Sequence, residues 1–166
     1  ALGTNSLDGF KNPPKRIMRQ IRFRGHTIPY KDEDEGFDYK GEWIYGFYHT
    51  DSENAPCIIQ NEKTGRAYPG RPILKQSAGQ FTGFKDKNGK EIYEGDILSD
   101  FTETDEGLVK SHQQVFWSND RGEWILDDSF LQNCDSDFSL WIALQEFEYE
   151  VSGNIYNNPN LIKNKS

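Results

Sequence analysis

Asn88-Gly89 lies between two short β-compatible runs in FKDKNGKEIYEGDIL, residues 84–98. This dipeptide favours positive φ at both central positions of a type I′ turn, whose twist matches that of two antiparallel strands. The stretch is therefore expected to form a β-hairpin. Its charged flanks, Lys85-Asp86-Lys87 and Lys90-Glu91, are expected to hold the tip in water. A second turn at Glu94-Gly95 then leads into Asp96-Ile97-Leu98, an apolar strand start.

Period-two spacing recurs along the chain. Ile17, Ile21 and Phe23 fall on one face of a strand, with Arg16, Gln20, Arg22 and Arg24 on the other and Arg19 as the misfit. KDEDEGFDYKGE reads as a solvated acidic loop. In EWIYGFYH, Trp43, Tyr45 and Phe47 alternate against Ile44 and Tyr48. APCIIQNEKTGRAYP reads as a hairpin in which residues 57–60 pair back across Thr64-Gly65. FTETDEG is expected to be an acidic loop, followed by HQQVFW and EWIL on either side of the turn SNDRG. DFSLWIALQEF does not alternate and suits a short helix. EYEVSGNIY returns to strand spacing, with Phe147, Tyr149 and Val151 on one side. Asn158-Pro159 offers an N-cap and a Pro at N1 for a last short helix over Leu161 and Ile162. The sum is roughly eight or nine strands with little helix.

Length allows one ordinary domain or two small ones sharing a core. Hydrophobic content is only 34%, but 14% of residues are aromatic, and large rings bury much area each. Residues 1–17 are rich in Gly, Asn and Pro and end in NPPKR, so they read as a leader, an arm or an expression remnant. Residues 18–78 form an expected N-terminal β subdomain, and residues 79–166 a second one sharing its core.

Four blocks carry a family resemblance: MRQIRFRG at 18–25, GEWIYG at 41–46, GQFTGFKDKNGKEIYEGDIL at 79–98 and GNIYNNPNLI at 153–162. In this order they resemble the YopX family, found mostly in phages and prophages of bacteria. The third block is the closest, with Phe84 where Leu is usual. KDEDEGFDYK is longer and more acidic than the family leads one to expect, and residues 1–17 have no counterpart in it. The resemblance implies a mainly β fold with minor α, built from a small antiparallel subdomain and a C-terminal SH3-like barrel. It brings no established activity and no catalytic residue.

The residues themselves point away from catalysis. His26, His49 and His112 share no ligand spacing with each other or with Cys57 or Cys134, so no metal site is expected. Aligning the acidic loop as a calcium loop puts Lys31 at the first ligand position, with no flanking helices. Neither GxSxG nor a phosphate-cradling glycine motif occurs, and no cofactor is expected. Cys57, beside Ile58 and Ile59, reads as a small core residue. Carboxylate pairs such as Asp127-Asp128 and Asp135 with Asp137 follow from an acidic composition.

With the phage or prophage origin that the resemblance implies, the expected function is that of an accessory protein acting by binding, with an unidentified protein partner in the bacterial cytoplasm. Exposed strand edges and aromatic content suggest self-association as well. The alternative is nucleic-acid binding through Arg22, Arg24, Lys85, Lys87 and Lys90, although a net charge of −8 repels phosphate at long range. An enzyme, in the form of a hydrolase with an unrecognised site, is the third reading. No apolar run reaches the length of a membrane span, and no signal peptide is visible.

Overall fold

In the computed structural model, residues 20–34, 36–60, 70–104, 107–127 and 138–163 are described. All strand pairings are antiparallel and fall into two main sheets and a separate hairpin. The first sheet contains β1 (Phe23–His26), β4 (Trp43–Thr50), β5 (Pro56–Ile59), β6 (Arg71–Pro72), β7 (Gly79–Lys85) and β8 (Glu91–Tyr93), in the order β6-β5-β4-β1-β7-β8. The second contains β9 (Asp96–Thr104), β10 (Gly107–Ser118), β11 (Glu123–Leu126), β12 (Phe138–Ser139) and β13 (Glu150–Asn154), in the order β12-β11-β10-β9-β13. Helices α1 (Leu140–Glu146) and α2 (Asn160–Lys163) are short.

The mainly β expectation holds, but neither sheet closes on itself, so the barrel implied for the C-terminal half is an open five-stranded sheet. Residues 79–93, expected to begin the second subdomain, instead supply β7 and β8 of the first sheet. Their side chains face both ways. Ile92 and Phe84 pack into the second sheet's core with Leu98, Val115, Leu126 and Leu140, while the first sheet has its own cluster around Ile44, Ile58 and Ile73. The hairpin is hydrogen-bonded to one half and buried in the other, which is what joins them.

Its turn differs from the expected one. Gly89 has φ +80°, but Asn88 is not among the residues with positive φ. Gly89 N–H donates to Asp86 O, and Asp86 N–H to Lys90 O, the pattern of a longer loop with a single left-handed glycine. Asp86 explains the preference. Its buried carboxylate accepts from Asn88 N–H and Lys90 N–H at 2.9 and 2.8 Å, and from Val151 N–H of β13 at 2.9 Å. Lys87 N–H donates to Tyr149 O. The lysines of the tip are exposed, yet its backbone is docked on the second sheet rather than free in water.

Other expectations shift in the same way. The acidic loop after β1 contains a hairpin, β2 (Tyr30–Asp32) with β3 (Phe37–Tyr39). Most of FTETDEG is strand, because β9 and β10 pair from Gln114–Ile97 out to Gly107–Thr104. β5 pairs with β4 and with β6, and the Thr64-Gly65 turn lies outside the described residues, as do Ile17 and Arg19. Ile21, expected to be half-buried, is exposed. The hairpin across SNDRG and helix α1 form where expected. GEWIYG has a steric reason for its second glycine: a Cβ at Gly46 would lie 2.0 Å from Ile59 O on the neighbouring strand.

Candidate binding surfaces

Arg24, expected on a solvent-facing strand surface, is 7% exposed and sits at the seam between the sheets. The β1–β4 register sets it opposite Tyr45 and sets His26 opposite Trp43. Its guanidinium lies 2.6 Å from Asp96 Oδ1 at the start of β9 and donates to Glu94 O at 3.1 Å. It also stacks over Trp43 and Tyr93, at 5.0 and 5.1 Å from the ring centroids. Asp96 is 1% exposed and accepts Tyr93 N–H at 2.8 Å. Burial pushes its carboxyl above the usual range, and the charge of Arg24 only partly offsets this. A cavity of about 130 Å³ adjoins the pair, with Gln76, Gln114 and Tyr156 in its wall. The charges here are already compensated, so the seam is a clamp between strands.

The other four expected surface cations are spread out. Arg22 pairs with Glu91 at 2.6 Å and stacks over Phe81, and Lys85 lies opposite Glu91 in the β7–β8 register. Burial pushes the Glu91 carboxyl up, but hydrogen bonds from Arg22 and the Tyr93 hydroxyl outweigh it and leave the group below its usual range. Lys87 faces Glu150 at 3.8 Å, and Lys90 Nζ donates to Val151 O at 3.5 Å, both over β13. Each of the five thus has a carboxylate or carbonyl of the chain beside it.

One pairing has the form of a catalytic dyad. Ser99 Oγ lies 2.7 Å from His112 Nδ1, and burial holds the imidazole below its usual pKa. Ser99 is also hydrogen-bonded to Ser152 Oγ of the adjacent strand β13 and is 1% exposed. A nucleophile that substrate cannot reach performs no chemistry, so this network reads as a buried cross-strand polar contact. Its two members are thirteen positions apart, and only strand register brings them together. Among the described residues, no three His, Cys, Asp or Glu side chains could hold a metal ion. Cys57 is buried, and desolvation raises its thiol pKa, the opposite of activation.

Among the described residues, two larger clefts face solvent. One, of about 630 Å³, lies beside the β2–β3 hairpin and is walled by Ile28, Tyr30, Tyr39, Arg71 and Pro72. Arg71 donates to Glu42 Oε1 at 2.8 Å and to the Tyr39 hydroxyl, and its hydrogen bond to Glu42 and its charge hold the Glu42 carboxyl below its usual range. The other, of about 330 Å³, lies on the second sheet and is walled by Phe84, Trp117, Glu123, Trp124 and Trp141. Trp117 and Trp124 are direct cross-strand partners on β10 and β11. Trp141, the second residue of α1, is 58% exposed, and Phe138, Ile142 and Phe147 nearby are exposed as well. This aromatic cleft was not singled out from the sequence. Its signal is that Trp117 and Trp124 stand two positions before and two positions after the four residues 119–122 of the turn.

The comparisons with known proteins agree with the fold. The structure of protein EF1440 from Enterococcus faecalis is similar, with a TM-score of 0.51 and 23% identity over 88% of this chain and all of that one, a likeness that speaks to fold alone. No curated protein matches the chain. The family model described as YopX protein matches residues 34–163, well over half the chain, and the chain therefore belongs to the YopX family.

Proposed function

We propose that this chain acts by binding a protein partner inside a bacterial cell, as an accessory protein carried by a phage or prophage. The observation that carries this reading is the exposure of Trp117 and Trp141 in the walls of the tryptophan cleft, together with that of Phe138, Ile142 and Phe147, which flank Trp141 in sequence. Folding alone gives no reason to leave aromatic rings in water, and grouped exposure of this kind is typical of an interaction surface. The burial of Ser99 beside His112 and the compensated charges of the seam favour binding over catalysis.

The test is affinity capture from bacterial host lysate with the intact chain and with Trp141→Ala. A protein retained by the first and lost by the second supports the reading. Equal recovery of every protein by both would overturn it.

Nucleic-acid binding keeps one supporting observation. Arg22 stacks over Phe81 on a sheet face that also exposes Tyr45 and Phe47, and exposed rings beside a cation suit single-stranded bases. The Arg22–Glu91 pair and the acidic chain oppose it. Anisotropy titration with single-stranded oligonucleotides at low salt decides the matter: salt-sensitive binding lost in Arg22→Ala would support it, and no binding would remove it.

A further inference from the structure

Three of the chain's four tryptophans wall one cleft. Trp117 and Trp124 have ring centroids 5.0 Å apart and planes at 72°, so their indoles meet as two sides of a corner. Trp141 provides a third side. Among the described residues of the lining, Glu123 is the one charged side chain. Thr82, also in the lining, has its hydroxyl engaged with Ile92 O at 2.8 Å.

The face of an indole carries negative potential and attracts a cation, and a planar guanidinium can stack on it while its edge reaches a carboxylate. Arg121 Nε holds the Glu123 carboxylate at 2.8 Å in an exposed pair, the kind that contributes little to stability and can be exchanged for an incoming guanidinium. The net charge of −8 draws a basic partner toward the chain. We propose that the cleft of Trp117, Trp124 and Trp141 takes the guanidinium of an arginine on a basic segment of the partner protein. The inference rests on the protein-binding reading above and names the chemistry of that partner.

The experiment titrates the full chain with a short peptide carrying one arginine between apolar residues, followed by indole fluorescence and calorimetry. A matched peptide with citrulline in place of arginine keeps the shape and removes the charge. The arginine peptide should bind, and both the citrulline peptide and the Trp141→Ala chain should bind about tenfold more weakly. Circular dichroism checks that Trp141→Ala is folded. Equal binding of the two peptides, binding unchanged in Trp141→Ala, or no binding of either peptide would overturn the assignment. If neither peptide binds while lysate capture still depends on Trp141, the guanidinium assignment falls and the protein-binding reading stands.

Discussion

Two arginine–carboxylate pairs show how burial gives one chemistry different consequences. Arg24–Asp96 lies at 2.6 Å in the seam, with side chains 9% and 1% exposed; Arg71–Glu42 lies at 2.8 Å beside the outer cleft, with side chains 40% and 57% exposed. Both arginines lie over aromatic rings and both bond oxygen atoms. In the seam, Asp96 is sealed from solvent on its own side, so its charge depends on the Arg24 guanidinium. At the outer cleft, water and salt compete with the pair, and either partner can be dispensed with. The seam therefore holds the fold, while the solvent-facing surfaces are free to be used for binding.

The largest effect separating the two regions should come from Arg24→Ala, which leaves the Asp96 carboxylate buried without its cation. A loss of about 3–5 kcal/mol in denaturant unfolding is expected. Asp86→Ala should come next. Its carboxylate joins the hairpin tip to β13, and losing charge-assisted bonds to backbone N–H groups should cost about 1.5–3 kcal/mol by the same measurement.

The pH dependence of the two carboxylates should have opposite signs. Asp96 has a folded pKa raised above its ordinary 3.8, so its contribution to stability is complete below that value and is lost as pH rises through the folded one. Glu42 has a folded pKa lowered from 4.5, so its contribution is complete above that value and is lost as pH falls through the folded one. Carboxyl-carbon NMR titration reads both directly, and the same direction for the two would break the contrast. The smallest effect belongs to Glu42→Gln, which should leave the unfolding midpoint unchanged within error.

Much of this architecture was legible in the sequence because local chemistry sets it. Period-two alternation and turn residues placed most strands, and residues 79–98 identified the family. Long-range register was not legible. Alternation places Arg22 and Arg24 on the face opposite Phe23, a face that local pattern alone gives to solvent, yet β4, β8 and β9 enclose Arg24. Asn88-Gly89 suggested a tight turn because the pull of a buried Asp86 on a strand 65 positions away cannot be seen locally. The aromatic cleft was hidden for a related reason. Trp117 and Trp124 belong to one hairpin, but Trp141 joins them through α1, an element whose position depends on the packing of Leu140 and Ala143.

The most direct test of the central contrast is a double-mutant cycle at the seam, with Arg24→Met, Asp96→Leu and the combined variant compared in denaturant unfolding. The account predicts that each single change is strongly destabilising and that the combined variant recovers most of the loss, since two apolar side chains leave no buried charge behind. Single changes that are each nearly neutral, or a combined loss equal to their sum, would contradict it.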